Sequence, residues 1–126
     1  MEEASLAGEE QPANDARALD RLRRFGGGEL LGDMIALFLS VGPERVATAR
    51  HALETQDLST LERAMHSLKG SAAQLGAVRL QQLSERGERL ARLGAVSGVP
   101  ILMQELDEEL ARACEWLIMA RDEGSA

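Results

Sequence analysis

The chain has 126 residues, a mass of 13.6 kDa and a formal charge of -7, with 14 Lys plus Arg against 21 Asp plus Glu. That length suits one compact domain, and the acidic balance argues against sequence-independent binding to a nucleic-acid backbone. Twenty Leu and 19 Ala against 11 Val, Ile and Thr favour helices over a large sheet, and the lone Cys114 excludes an intramolecular disulfide or a multi-cysteine zinc site.

Three aromatics (Phe25, Phe38 and Trp116) leave the core to Leu, Ala, Val, Ile and Met. No apolar run approaches ~18 residues, and the acidic N-terminus lacks the basic and apolar regions of a signal peptide. The expectation is a soluble, cytoplasmic, mostly helical domain with no membrane partner. Its charge is uneven. Residues 1–15 hold five acids and no base, and residues 104–126 hold seven acids and two bases. Residues 16–103 hold nine acids and twelve bases, so the centre of this acidic chain is locally positive.

Residues 1–13 have no helical stripe and read as a disordered acidic leader. A short helix over about 14–25 stops at Gly26-Gly27-Gly28. A second runs from about Glu29 to Ser40, with Leu30, Met34, Leu37 and Phe38 at helical spacing. Gly42-Pro43 interrupts it, and Pro43 suits the first turn of a third helix. Val46, Ala49 and Leu53 make that helix's apolar side, which ends near Gln56. The fourth helix starts at Asp57, or at Ser59 facing Glu62 as a capping box. Leu58, Leu61, Met65, Leu68, Ala72 and Leu75 step along it by 3, 4, 3, 4 and 3, a bundle seam.

Gly76 stops the fourth helix. The fifth, about 77–93, repeats the seam with Leu80, Leu83, Gly87 and Leu90, and ends at Gly94. Ser97-Gly98-Val99-Pro100 leads to the last helix, about 100–121, with Leu102, Leu106, Leu110, Ala113 and Leu117 on one stripe and Trp116 alongside. The expected fold is all-α: an antiparallel four-helix bundle over residues 14–122, with two short N-terminal helices covering one end and a flexible C-terminus at 123–126. The triplet 26–28 lacks a following Lys-Ser/Thr and reads as a linker rather than a phosphate cradle.

His66 lies one residue off the seam, about 100° of helix rotation from Met65. Three, four and seven residues on, its own face carries Lys69, Gly70 and Ala73. A glycine inside a helix costs about 1 kcal/mol relative to alanine, so Gly70 marks close approach of either another molecule or a neighbouring helix. Taken alone, a surface His and a surface Lys are ordinary solvated side chains.

Residues 64–77 read Ala-Met-His-Ser-Leu-Lys-Gly-Ser-Ala-Ala-Gln-Leu-Gly-Ala. This string closely resembles the signature of histidine-containing phosphotransfer (HPt) domains of two-component phosphorelays. The resemblance extends through Leu31 to Phe38, Pro43-Glu44-Arg45 and Asp57, and covers about residues 18–120. It implies a four-helix bundle with an exposed phospho-accepting histidine, fed by a receiver-domain phospho-aspartate and passing the group to another receiver.

On that reading His66 is the acceptor. A neutral imidazole is a competent nucleophile, and an ordinary pKa of about 6.5 leaves it largely neutral near pH 7. The family often supplies a Glu or Gln about 22 residues on to hold Nδ1–H; here that residue is Glu88. In a hairpin turning near Gly76, residues 66 and 88 lie about equally far from the turn. Lys69 reaches a phosphoryl oxygen, and Gly70 clears space for the partner. Arg63, Arg79, Arg86, Arg89 and Arg92 flank the site and steer an acidic partner pocket; their alternative is pairing with Glu62, Glu85 and Glu88. Ser67, Ala73 and Gln74 complete the expected partner face.

No carboxylate cluster suggests a resident metal or other cofactor; the Mg²⁺ of the reaction is expected in the receiver. Other candidates are weaker. His51 has no signature around it, Cys114 reads as a small packed side chain, and Ser67 and Ser71 lack a His-Asp pairing for hydrolysis.

The resulting expectation is a monomeric, cytoplasmic phosphocarrier, consumed stoichiometrically and so not an enzyme. Its partners are receiver domains of response regulators or of a hybrid histidine kinase. Three alternatives are carried: a substrate domain fed directly by a kinase catalytic domain, as in chemotaxis kinases; a docking module without transfer; and a plain structural bundle.

Overall fold

A computed structural model describes residues 12–125. Helix α1 spans Ala16–Glu54, α2 Leu58–Gln74, α3 Val78–Leu93 and α4 Val99–Ser125, with a 3₁₀ turn at Val96–Gly98 before α4. No strand occurs among the described residues. The short connections make sequential helices antiparallel, and α1 packs on α2 and α4 as α3 does. The four helices therefore close a ring around one core.

The seams emerge where the spacing places them. In α2, Leu61, Met65, Leu68 and Ala72 are buried, with Leu75 just beyond. In α3, Leu80, Leu83 and Gly87 are buried; in α4, Leu102, Leu106, Leu110, Ala113 and Leu117. Asp57 is the N-cap of α2, its Oδ1 accepting from Thr60 N at 3.2 Å, which decides between the two expected starts. Gly94 closes α3 in the left-handed conformation, φ 72°.

Helix α1 departs from expectation. The glycine triplet does not form a linker: only Gly27 leaves helical geometry, φ 74° and ψ -173°. Gly42-Pro43 does not interrupt at all. Pro43 is exposed, so solvent can serve the carbonyl that loses its donor. Gly42 is buried beside Phe38 and Leu110, where an added Cβ would lie 3.4 Å and 3.3 Å from their side-chain atoms. Residues expected as two helices thus form one bundle member, and only the Ala16–Gly26 portion covers an end.

The buried stripe of α1 is Leu31, Ile35, Phe38, Gly42, Val46, Ala49 and Ala52. Of the residues expected on this stripe Phe38 lies on it, whereas Leu30 and Met34 are half-buried and Leu37 is 64% exposed, each one position before a buried residue. The apolar pairs Leu30-Leu31 and Leu37-Phe38 offer two stripes about 100° apart, and contact with both α2 and α4 selects one. Phe25 is exposed. One 18-residue window of α1 reaches a mean hydropathy of 1.3, so this helix is long and apolar enough, by length and composition alone, to cross a membrane. Its buried side chains Leu31, Ile35 and Phe38 belong to the bundle core.

The leader expected at 1–13 lies outside the described residues except for Pro12 and Ala13. Ala13 is held in place: its carbonyl accepts from Arg79 N at 3.0 Å, and Asp15 N donates to Gly76 O at 2.7 Å. At the other end α4 continues helically through Glu123 to Ser125, where a flexible end was expected.

The segment 13–15 therefore clamps the α2–α3 turn. Gly76 holds φ 76°, and a Cβ there would sit 2.2 Å from the Asp15 carbonyl oxygen and 2.9 Å from Ala18 Cβ. Gly76→Ala is expected to cost about 2–3 kcal/mol in urea or thermal unfolding, from left-handed strain plus displacement of the clamp. A change below about 0.5 kcal/mol would show the clamp to be unimportant.

Candidate functional site

His66 and Glu88 meet across the α2–α3 hairpin. His66 Nδ1 lies 2.8 Å from Glu88 Oε2. The His66 side chain is 68% exposed and that of Glu88 only 7%. The ring is thus tethered at its inner nitrogen, and its other nitrogen, Nε2, belongs to an exposed side chain.

Glu88 is a hub. Lys69 Nζ reaches its Oε1 at 2.7 Å, and Arg92 Nη2 donates to its Oε2 at 3.1 Å. Arg92 Nε also donates to Glu62 Oε2 at 3.0 Å, tying α3 back to α2. Burial pushes the Glu88 carboxyl upward, but hydrogen bonds and charge from Lys69 and His66 outweigh it and leave the carboxyl below its ordinary value. A carboxylate is the fitting acceptor: its two oxygens hold three donors, whereas an amide oxygen would hold fewer. With the anion ionised, the proton of a neutral His66 ring belongs on Nδ1, and Nε2 keeps its lone pair.

The expected residues divide into those the fold brings together and those it does not. His66, Lys69, Glu88 and Arg92 form one connected group. Lys69 is on the carboxylate, so it reaches a phosphoryl oxygen only by sharing or leaving Glu88. Gly70 is exposed and an added Cβ would meet nothing within 4 Å, which removes helix packing as the reason for a glycine there. Ala73 and Gln74 continue the exposed face of α2. Arg63 is exposed and lines an open depression with Glu62, His66 and Glu88.

Arg79 and Arg86 correct the expectation that they flank the imidazole. They line a groove on the α3–α4 side with Glu105, Glu108, Glu109 and Arg112. Arg89 pairs with Glu85 on its own helix at 3.6 Å. Arg92 is engaged within the chain by Glu62 and Glu88 rather than free for a partner. Cys114 is half-buried, and burial pushes its thiol up. His51 is exposed, as expected.

Sequence reasoning missed Arg45. Its Nε donates to Ser67 Oγ at 3.1 Å, which places a guanidinium from α1 beside the residue that follows His66. The signal was available: Arg45 and Ser67 are both eleven residues from Gln56, at the α1–α2 turn. The same hairpin arithmetic had paired residues 66 and 88.

This bundle, with an exposed imidazole held by a buried carboxylate, matches the family model of the Hpt domain over residues 33–116. The chain belongs to that family, the histidine phosphotransfer carriers of phosphorelays. It is similar to the crystal structure of histidine-containing phosphotransfer protein B (HptB) from Pseudomonas aeruginosa PAO1. The two share 27% identity at a TM-score of 0.84, over 89% of this chain and 96% of that one. A search of curated proteins found no match.

Proposed function

We propose that His66 is the phosphoacceptor, loaded by the phospho-aspartate of one receiver domain and discharged to the aspartate of another. The observation that carries this is the His66 Nδ1–Glu88 contact at 2.8 Å beneath an exposed ring. The Nε2 lone pair attacks phosphorus in line. The acyl phosphate P–O bond breaks, and its electron pair leaves with the aspartate carboxylate. The Nδ1 proton stays in place, and the positive charge the ring gains is compensated by Glu88. Discharge is the reverse step on a second receiver.

Lys69 is the electrostatic helper, near enough to share its charge between Glu88 and a phosphoryl oxygen. Gly70 leaves the surface beside the ring low enough for receiver loops to approach. Such a sparse site suffices because phosphoryl transfer is mainly positioning and charge neutralisation. The receiver supplies the divalent cation. The chain acts as a monomeric carrier, returned unchanged only after a second transfer, and therefore not as an enzyme. A single half-buried thiol suits the reducing cytoplasm.

The test is a transfer assay with a purified, radiolabelled phospho-receiver. The expected label on this chain is acid-labile and base-stable, as a phosphoramidate bond to imidazole is. No label from any receiver, with label appearing from a kinase core and ATP, would replace this reading with that of a kinase-fed domain. No label from either, with receiver binding retained, would leave a docking module.

A further inference from the structure

The arginines around the site differ in what neutralises them. Arg79 and Arg86 lie 4.0 Å from Glu109 and Glu105, Arg89 is on Glu85, and Arg92 is on Glu62 and Glu88. Arg63 and Arg45 are bonded to hydroxyls instead. Arg63 donates to Ser59 Oγ at 3.2 Å and Thr60 Oγ1 at 3.3 Å, and Arg45 to Ser67 Oγ. A hydroxyl fixes a guanidinium in place without cancelling its charge.

These two arginines line one groove between α1 and α2, with Thr48, Thr60, Ala64 and Ser67. No carboxylate lines it. Arg63 also borders the open depression lined by Glu62 and Glu88, but Glu62 and Glu88 are bonded to Arg92; Asp57 has its carboxyl held down first by Thr60 and only lastly by the charge of Arg63. The α3–α4 groove behind the site is the opposite case: Arg79, Arg86 and Arg112 face Glu105, Glu108 and Glu109, three charges of each sign. The groove with uncompensated positive charge adjoins the imidazole, since Ser67 follows His66 and Arg63 precedes it by one helical turn. On its α3 side His66 meets Glu88, which Arg92 also holds.

We propose that this α1–α2 groove is the surface that orients the incoming receiver, with Arg45 and Arg63 taking an acidic rim beside the receiver's phospho-aspartate. The inference rests on the carrier reading above. The occupant follows from charge: a phospho-aspartate among the carboxylates that hold a divalent cation is an anionic surface, and this is the cationic one next to His66. The groove acts on encounter and register, not on the bond-making step.

The test uses the full chain and a receiver that labels the wild type. Arg45→Glu with Arg63→Glu is compared with Arg79→Glu with Arg86→Glu, an equal charge change on the far groove. Thermal unfolding checks that both pairs fold, and labelling by the small donor phosphoramidate normalises for the chemistry of His66. At subsaturating receiver the first pair is expected to lower the receiver-fed rate, relative to the phosphoramidate-fed rate, about 10-fold or more, and to flatten its salt dependence. Its saturating rate is expected to stay near that of the wild type, and Arg45→Lys with Arg63→Lys to restore most of the loss. The far pair is expected to change the rate less than about 3-fold. Equal effects of the two pairs, or a loss that persists at saturating receiver, overturn the proposal. Failure of the wild type to take label from any receiver removes the carrier reading itself, and the groove with it.

Discussion

His66→Gln is expected to abolish labelling by a phospho-receiver while the bundle stays folded. The loss is complete because no second nucleophile replaces the ring: His51 is exposed on α1 and remote in sequence from Glu88. The fold tolerates the change because the His66 side chain is 68% exposed and contributes one contact to a carboxylate that keeps Lys69 and Arg92. The cost in unfolding free energy is expected to be about 1 kcal/mol or less. Transfer assays and urea unfolding on the same preparation separate the two effects. Residual acid-labile label on the variant would place the phosphoryl group on another residue. A collapse of stability would instead make His66 structural, as in the plain-bundle alternative.

The seam of α2 was legible because one face repeats at strict heptad spacing, and the sharpness of that stripe is what isolates His66 as a residue just off it. In α1 the same method placed Phe38, Val46 and Ala49 correctly but put Leu30, Met34 and Leu37 one residue off the buried face, since adjacent apolar pairs such as Leu37-Phe38 satisfy two faces equally. Pro43 was read as a break on local propensity, yet its exposed position and the buried Gly42 beside it let tertiary packing carry the helix through. Glu88 was indicated by the family resemblance, and a hairpin count placed it level with His66. Its burial could not be read from the sequence, because that depends on how closely α2 and α3 approach over Gly87, where a Cβ would lie 2.8 Å from Met65 Sδ. The arginines show the limit most clearly. Sequence gives their number and their local excess over acids, but which of them retain an uncancelled charge is decided by which glutamates the fold brings opposite.

Glu88 is expected to have the second largest effect, through the ring rather than through the fold alone. In Glu88→Leu the Nδ1 proton loses its acceptor, the ring is free to take the Nε2–H tautomer, and the positive charge formed on phosphorylation is uncompensated. Transfer is expected to fall about 10–100-fold, in line with other groups that orient a reacting imidazole. Glu88→Gln is expected to fall between Leu and the wild type. Its single oxygen can serve His66 and Arg92, but the amide nitrogen then faces the Lys69 ammonium, which has no acceptor to offer. Imidazole ¹⁵N shifts read the tautomer directly, and equal tautomer populations in all three proteins would sink this account. The pH dependence of stability supplies an independent check. The folded Glu88 carboxyl titrates below its ordinary value of about 4.5, so between the folded and unfolded values the unfolded chain binds more protons. The stability it contributes is present above the unfolded value and is lost as pH falls through the folded one. Glu88→Gln is therefore expected to flatten the fall in unfolding free energy below about pH 4.5.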